Sequence, residues 1–253
     1  MDIRNKTFLI TGSSSGIGEA TARYAAGKGA KVILVARSQS KLIRICQDIR
    51  DSGGVATYYP ADLSDLDAAK DVSAQIKNKE GIPDIIMNNA GSGNWKYTQE
   101  TSPEEASTMM TLPYLSAFAI TQSFLSELID RQSGTIINMT SVAGYMTWPG
   151  ASGYIAARWA MRGFNDALRD EVKPFGIAVM LVAFAKVKSN YWINNPGSEI
   201  NIPERQSFIP ELSPEDAAQY IVSGIEKDKK QVVEPKHLRF VLALSNVCPS
   251  MVK

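Results

Sequence analysis

Short apolar runs and segments of helical periodicity alternate along the chain, and this alternation constrains the fold more than any other feature. Seven runs rich in β-branched residues are typical of buried strands: Thr7 to Thr11, Lys31 to Ala36, Val55 to Tyr59, Asp84 to Asn88, Thr135 to Met139, Ile177 to Ala183 and Gln231 to Glu234. Six segments have helical periodicity: Gly16 to Gly29, Ser40 to Ser52, Asp65 to Lys79, Pro103 to Arg131, Ser152 to Pro174 and Ser213 to Lys227. Strand, crossover helix and parallel strand in repetition predict an α/β fold: a doubly wound, mostly parallel sheet with helices on both faces.

The domain organisation follows from length and from the irregular stretches. A chain of 253 residues suits one domain over residues 1–253, because no linker, repeat or low-complexity tract divides it. The longest irregular stretch, from Ser189 to Leu212, is rich in Asn, Pro and Ser. Long loops in compact domains are often functional, so we expect a substrate lid over residues 189–212.

Charge and cysteine content argue against several classes of protein. Lys and Arg number 27 against 26 Asp and Glu, for a net charge of +1, and the scattered basic residues give no case for nucleic-acid binding. Cys46 and Cys248 predict neither a disulfide framework nor a metal site, which favours a reducing, cytoplasmic compartment. The polar N-terminus leaves no room for a signal peptide before the first strand. No apolar run reaches the roughly 18 residues of a membrane span.

A glycine-rich turn lies between the first predicted strand and the first predicted helix, with the sequence Thr11-Gly12-Ser13-Ser14-Ser15-Gly16-Ile17-Gly18. Glycines permit a tight turn and let backbone N–H groups approach phosphate oxygens, while the helix dipole favours negative charge. We therefore predict a nucleotide pyrophosphate here. The predicted contacts are Gly12, Ser14, Ser15, Gly16, Ile17 and Gly18. The alternative is that the glycines serve only the turn.

Residues after the second and third strands bear on which nucleotide binds. Arg37 and Ser38 stand where an enzyme of NAD would place an acidic residue for the ribose 2′-hydroxyl, and a cation with a hydroxyl suits a 2′-phosphate. We therefore predict NADP(H) rather than NAD. The alternative is that Arg37 is only a solvated residue at the end of the strand. After the third strand, Asp62 and Leu63 are predicted to contact the adenine; Asp62 equally suits a loop turn or a helix cap.

Residues at the ends of the fourth and fifth predicted strands form a more specific pattern than the glycine turn alone. Asn88-Asn89-Ala90-Gly91 follows the fourth strand, and Ser141 follows the fifth, thirteen residues before Tyr154. With the glycine turn and the order of elements, these residues resemble the short-chain dehydrogenase/reductase family over essentially the whole chain, which implies a Rossmann-type fold.

The resemblance implies a division of catalytic roles. Tyr154 would be the general acid and base at the substrate oxygen, and Ser141 would orient that oxygen. Asn89, Ala90 and Gly91 would contact the cofactor, as would Tyr154 itself.

The family places a lysine four residues after its tyrosine, where this chain has Arg158. A phenol, with an ordinary pKa near about 10, needs a nearby positive charge to act at neutral pH. Arginine keeps the charge and donates to ribose hydroxyls, but it is bulkier, planar and never deprotonated. Arg158 is therefore expected both in the catalytic group and at the cofactor, with altered geometry.

Two further positions depart from the family pattern. Pro113 stands where the family has an asparagine at a helix irregularity; proline would keep the bend and lose the side-chain amide. After the sixth strand the family has Pro-Gly and then a threonine, whereas this chain has Phe184-Ala185 and then Ser189. Ser189 is expected to meet the nicotinamide carboxamide.

Two functions are favoured by the sequence over a third, a structural protein that binds no nucleotide, because the residues that a cofactor would need are present. The first is an NADP(H)-dependent oxidoreductase acting on a small-molecule carbonyl or alcohol; the second is a family member of weak or no activity that binds NADP(H) as a sensor or interaction module. An apolar substrate is suggested by aromatic and aliphatic residues flanking the site: Trp148, Tyr191, Trp192, Phe208 and Ile209. Aromatic residues also simply anchor loops. The resemblance implies a homodimer or homotetramer, and the apolar stretch from His237 to Val252 leaves peripheral membrane contact open.

Overall fold

One sheet of seven parallel strands organises the molecule, whose computed structural model describes residues 1–189, 191–202 and 209–236, without the side chains of residues 192 and 194. Within these residues the strand order is β3-β2-β1-β4-β5-β6-β7. The strands are β1 Thr7–Thr11, β2 Lys31–Ala36, β3 Val55–Pro60, β4 Ile85–Asn88, β5 Gly134–Ser141, β6 Ile177–Phe184 and β7 Gln231–Glu234. All neighbouring pairs are parallel. The predicted doubly wound sheet is confirmed.

Helices cover both faces of this sheet. They are α1 Gly16–Gly27, α2 Gln39–Asp51, α3 Leu66–Glu80, α4 Pro103–Met110, α5 Ser116–Asp130, α6 Ser152–Val172, α7 Tyr191–Asn194 and α8 Pro214–Glu226. One core cluster contains residues of α1, α2 and α8, and a second contains residues of α3, α5 and α6. None of the helices in the described ranges is long and apolar enough to span a membrane.

Strand β1 shows why the apolar runs are nearly continuous. Phe8 and Ile10 belong to the cluster under α1, α2 and α8, and Leu9 belongs to the opposite cluster. All three side chains are fully buried, because successive residues of a strand point to opposite faces and both faces are covered. Burial of each such side chain contributes about 1.5–3 kcal/mol to stability.

The segment predicted as helical from Pro103 to Arg131 is helical from Pro103 to Asp130 and contains one irregularity. A π turn at Thr111–Leu115 separates α4 from α5. Pro113 has no N–H to donate to the carbonyl one turn back, so the chain widens there: the N–H of Ser116 bonds to the carbonyl of Thr111, five residues earlier. The expected irregularity at Pro113 is confirmed.

The predicted lid begins and ends at a point of backbone pairing. Val187 forms a parallel bridge with Leu212, and the N–H of Lys188 donates to the carbonyl of Leu212 at 2.8 Å. Between them, residues 191–202 contain α7 and a 3-10 turn at Ser198–Asn201. Residues 190 and 203–208 of this predicted lid, including Phe208, lie outside the described residues, as do Cys248 and the stretch from His237 to Val252.

Candidate active site

The glycine turn after β1 adopts a backbone conformation that favours glycine. Gly12 and Gly16 have φ angles of +65° and +57°, in the left-handed region. A Cβ atom added to Gly12 would lie 2.8 Å from the Cα atom of Ala90. The chain can therefore make this turn against the end of β4 only with glycine at position 12.

Hydrogen bonds join this turn to the residues after β4. The hydroxyl of Thr11 accepts from the N–H groups of Asn89 and Ala90, at 2.9 and 3.0 Å, and donates to the carbonyl of Met87 at 3.3 Å. The Asn89 amide donates to the carbonyls of Thr11 and Gly12, at 2.9 and 3.2 Å. The crevice between β1 and β4 thus has fixed walls at the point where the strand order reverses, which is where such sheets bind ligands.

The N-terminus of α1 faces this crevice and fits an anionic ligand. Ser15 is the N-cap residue, and its side chain caps no N–H group of the helix within the described residues. Ser14 is half-buried. Ile17 packs on the core under α1, while a Cβ atom on Gly18 would lie 2.7 Å from the amide nitrogen of Asn89. Uncapped N–H groups at a helix N-terminus are suited to a phosphate.

Arg37 and Ser38 lie at the end of β2, where the sequence led us to expect them, and Arg37 is exposed. The Asp62 carboxylate accepts from the N–H and the hydroxyl of Ser64, at 3.0 and 2.7 Å. Burial favours the neutral acid, but the bonds from Ser64 and the charge of Arg37 outweigh it and hold the pKa of Asp62 below its usual value. Asp62 therefore forms the loop turn, one of the predicted alternatives.

The helix cap that was an alternative for Asp62 is made by another residue. Asp65 accepts from the N–H groups of Asp67 and Ala68, at 2.9 and 3.3 Å. Leu63 is 3% exposed and packs in the core between the sheet and α3, so its side chain contributes to packing. Contact of Leu63 with a nucleotide would be limited to its backbone.

Ser141 lies at the end of β5, and Tyr154 and Arg158 lie on α6, which packs against that strand and the turn that follows it. Ser141 is the last residue of that strand, and its hydroxyl accepts from the N–H of Ala143 at 3.3 Å. Tyr154 and Arg158 are one turn apart on α6 and are 6% and 7% exposed. The hydroxyl of Thr140 donates to the carbonyl of Arg158 at 3.0 Å and ties β5 to α6.

The Arg158 guanidinium lies over the ring of Tyr154, with its central carbon 4.8 Å from the ring centroid. Its other neighbour is Gly91, where a Cβ atom would lie 3.0 Å from one of the terminal nitrogens. The Arg158 Nε is buried without a hydrogen-bond partner in the described part of the chain. A buried donor without a partner is costly, so the cleft beside Gly91 fits a ligand with oxygen acceptors.

Aromatic side chains surround Tyr154. The ring centroids of Trp95 and Tyr191 lie 5.4 and 6.2 Å from that of Tyr154, and Trp148 packs on Trp95 at 5.2 Å. Burial, followed by the nearby Tyr154, raises the pKa of Tyr191 far above its ordinary value. Ile209 packs in a separate cluster with Val142 and Tyr145, residues that follow Ser141 in the sequence. The wall around Tyr154 is thus apolar and aromatic.

The departures after β6 also lie at this edge of the sheet. Phe184 is buried at the end of β6, opposite Ser141 in the register of the two strands. Ser189 faces the glycine turn, since a Cβ atom on Gly16 would lie 3.4 Å from the Cβ atom of Ser189. The Ser189 hydroxyl accepts from the N–H of Tyr191 at 3.3 Å. Ser189 is therefore close to both halves of the site.

This architecture, with a glycine turn before α1 and a serine and a tyrosine beyond β5, is matched by known proteins. Residues 6–198 match the short chain dehydrogenase family. The chain belongs to this family. This short-chain dehydrogenase is 32% identical over 233 residues to the fatty acyl-CoA reductase of Acinetobacter baylyi, a match that covers 91% of this chain and 76% of the relative.

Solved structures resemble this short-chain dehydrogenase over nearly their full length. The alcohol dehydrogenase of Thermococcus sibiricus, complexed with 5-hydroxy-NADP, is 26% identical with a TM-score of 0.79 and covers 90% of this chain and 95% of its own. A short chain dehydrogenase/reductase of Burkholderia phymatum in complex with NAD has a TM-score of 0.88 at 19% identity, covering 99% and 96%. The second likeness shows the fold alone.

The sequence did not point to several residues that form the walls of the site. Gly93 and Trp95 lie against Tyr154, and Asn195 and Ser198 hold them from the other side of the cleft. The position of Gly93 and Trp95 just after Asn88-Asn89-Ala90-Gly91 was the available signal. Asn195 and Ser198, in a polar loop, had none. Among the described residues no group of acidic, histidine or cysteine side chains would hold a metal ion.

Proposed function

We propose that this chain is an NADP(H)-dependent oxidoreductase that interconverts a carbonyl and an alcohol. The observation that carries the proposal is that Ser141 ends β5 and that Tyr154, with a guanidinium over its ring, lies on the helix packed against that strand, at the same edge of the sheet as the glycine turn. A proton donor and a dinucleotide cradle on one cleft suit hydride and proton transfer to one carbonyl.

The residues present fit the cofactor. The left-handed glycines and the uncapped N-terminus of α1 suit the pyrophosphate, and exposed Arg37 with Ser38 suits a 2′-phosphate. The NADP derivative in the Thermococcus sibiricus enzyme supports this choice, whereas the Burkholderia phymatum protein contains NAD. Arg158 and the cleft beside Gly91 suit ribose hydroxyls.

Side chains of the protein would supply the proton and orient the substrate oxygen. NADPH, when bound, supplies the hydride that reduces the carbonyl carbon. The Tyr154 hydroxyl donates a proton to the carbonyl oxygen, and the Ser141 hydroxyl donates a hydrogen bond that orients the same oxygen. The positive charge of Arg158 stabilises the resulting phenolate. In the reverse direction the Tyr154 phenolate is the base.

A hydrophobic substrate fits the walls of the site. Trp95, Trp148 and Tyr191 surround Tyr154, and pockets lined by aromatic side chains with few polar groups bind apolar ligands. The relative from Acinetobacter baylyi, a fatty acyl-CoA reductase, supports a substrate with an alkyl chain. We therefore place hydrophobic aldehydes and ketones first among candidates.

The test is oxidation of NADPH in the presence of a panel of aldehydes, ketones and keto-lipids, with the alcohol product identified by mass spectrometry. Substrate-dependent oxidation with formation of the alcohol is expected. Direct binding of NADPH, measured by fluorescence, is the companion measurement. Binding without turnover across the panel would favour the second candidate, a cofactor-binding protein without catalysis, which the replacement of lysine by Arg158 also favours.

Changing Arg37 to aspartate is expected to reverse the cofactor preference. The wild type should bind NADPH about 10- to 100-fold more tightly than NADH, since charge-assisted hydrogen bonds contribute about 1.5–3 kcal/mol. A carboxylate at position 37 would repel the phosphate and accept from a 2′-hydroxyl. Arg44→Asp, at an exposed position on α2, is the matched control for charge. Equal affinities of the wild type for the two cofactors would refute the assignment.

Changing Arg158 to lysine is expected to raise kcat about 3- to 10-fold. The ammonium is compact enough to approach the phenol oxygen, whereas the guanidinium lies on the ring face. The steady-state kcat of both proteins is the measurement.

A nearby arginine offers a matched control for this substitution. The guanidinium carbon of Arg162 lies 4.2 Å from the ring centroid of Tyr145, so Arg162→Lys removes the same kind of contact. An unchanged or lower kcat in Arg158→Lys would show that arginine is the group suited to this site.

We further propose a homodimer or homotetramer formed through α5 and α6. Phe118 and Trp159 on these helices are 46% and 43% exposed, and Phe118 packs against Tyr114 and Phe164 at ring-centroid distances of 6.5 and 5.5 Å. Exposed aromatic side chains that adjoin one another are typical of protein interfaces.

A further inference from the structure

The segment 93–95, just after the glycine of the β4 loop, is held by side chains about a hundred residues away. The N–H of Gly93 donates to Asn195 at 3.1 Å, and its carbonyl accepts from the Tyr191 hydroxyl at 2.7 Å. The N–H of Trp95 donates to Ser198 at 2.9 Å, and its carbonyl accepts from Asn201 at 2.8 Å. All four backbone groups are thus paired with side chains of the segment 191–202. We call this set of bonds the latch.

The latch is buried, and further hydrogen bonds connect its own residues. Asn195 and Ser198 are 3% and 1% exposed. The Asn195 amide also donates to the carbonyl of Tyr191 at 2.7 Å, and the Trp95 indole N–H donates to the Tyr191 hydroxyl at 3.2 Å. A buried group left without its partner costs about 1–3 kcal/mol, so separation of the two segments would be opposed by several such costs. The segments therefore move together.

The residues that the latch holds in place all contact the ring of Tyr154. A Cβ atom on Gly93 would lie 2.7 Å from the Cδ2 atom of Tyr154. The Trp95 ring packs on Tyr154 at 5.4 Å, and Tyr191 meets it edge-on at 6.2 Å and 66°. With the Arg158 guanidinium also over the ring, Tyr154 is held by groups from three separate parts of the chain.

We propose that Asn195 and Ser198 are positioning residues for the reaction. They do not contact Tyr154; they bind Gly93 and Trp95, which together with Tyr191 set the orientation of the Tyr154 phenol. This inference rests on the proposed function, in which Tyr154 is the proton donor. Proton transfer depends on that orientation, because displacement of a reacting group by about 1 Å lowers rates by about 100-fold.

The test compares Asn195→Ala and Ser198→Ala with Ser213→Ala. Ser213 is a matched control because its hydroxyl also accepts from a backbone N–H, that of Asp216 at 3.0 Å, at the start of α8 and outside the latch. Hydrogen exchange of residues 93–95 and 191–202 reports whether the latch has loosened. The Tyr154 signal of protein labelled with [13Cζ]tyrosine, assigned with Tyr154→Phe, reports the phenol directly.

In both latch variants we expect faster exchange in the two segments, a displaced and broadened Tyr154 signal, and a kcat about 10- to 100-fold lower with a smaller change in KM. Ser213→Ala should lose comparable thermal stability without these changes. Unchanged exchange, or faster exchange with an unchanged Tyr154 signal, would overturn the proposal. If even the wild type reduces no substrate, the proposed function fails, but the Tyr154 signal still decides whether the latch orients the phenol.

Discussion

Replacement of Tyr154 by phenylalanine is expected to lower kcat by about 10²- to 10⁴-fold and to leave the affinity for NADPH within about twofold, because it removes the proton donor and its hydrogen bond with Tyr191 but keeps the ring. The ring stays between Trp95, Tyr191 and the Arg158 guanidinium, so the packing of the site is kept. Only the hydroxyl that would protonate the substrate oxygen is lost. The measurements are steady-state oxidation of NADPH with the best substrate of the panel and a fluorescence titration with NADPH.

Tyr145→Phe is the matched control for this prediction. Tyr145 is also buried at this end of the molecule and also has an arginine, Arg162, over its ring, but it packs behind Ser141 with Leu181 and Val233. Its burial raises its pKa to about 12, so its hydroxyl is a poor proton donor at neutral pH. Retention of a tenth or more of the wild-type kcat in Tyr154→Phe would mean that another group donates the proton.

Replacement of Gly18 by alanine is expected to have the second largest effect, by deforming the cofactor cradle. The new Cβ atom would collide with the carbonyl oxygen of Gly12 and lie 2.7 Å from the Asn89 amide nitrogen. Relief of this overlap would move α1 away from the turn, at a cost of about 1–3 kcal/mol in the free energy of unfolding. Loss of two charge-assisted hydrogen bonds to a phosphate, at about 1.5 kcal/mol each, would weaken NADPH binding about 100-fold.

Gly27→Ala tests whether this effect depends on position. Gly27 ends the same helix, and a Cβ atom there would meet nothing within 4 Å. The substitution adds the same methyl group and should be neutral or stabilising, by up to about 1 kcal/mol. Thermal unfolding and NADPH titration of both variants are the measurements. Similar behaviour of the two would show that the close approach of α1 to Asn89 is not required.

The strands and the glycine turn were predictable because their causes are local. A buried parallel strand needs a short apolar run, and the observed β1, β2 and β7 begin and end at the predicted residues. The longer helices lie within two residues of their predicted ends, whereas α7 was not predicted. At Pro113 the missing N–H predicted an irregularity but not its form, a π turn. A bend follows from the chemistry of one residue, while the form of the turn depends on what packs around it.

The environment of the candidate catalytic residues was less predictable. The spacing of Tyr154 and Arg158 put them on one face of a helix, but the stacking of the guanidinium on the ring depends on Gly91 leaving room for it. Asp62 was open to a loop turn, a helix cap or a contact with the adenine; the hydroxyl of Ser64 and the cap made by Asp65 decided between turn and cap, and the adenine contact stays a prediction. Each outcome depended on a neighbour that the motif does not contain.

Local patterns in the sequence were enough to predict the doubly wound sheet, the glycine turn at its first crossover and the family to which the chain belongs. Periodicity and backbone freedom are properties of short segments, so they can be read without the fold. The way in which Tyr154 is held became known only from the folded molecule. Gly93 and Trp95 contact its ring, and their backbone is hydrogen-bonded to four side chains about a hundred residues away: Tyr191, Asn195, Ser198 and Asn201. Hydrogen bonds between residues a hundred positions apart leave no local pattern, because they exist only after the sheet has brought both loops to the same edge.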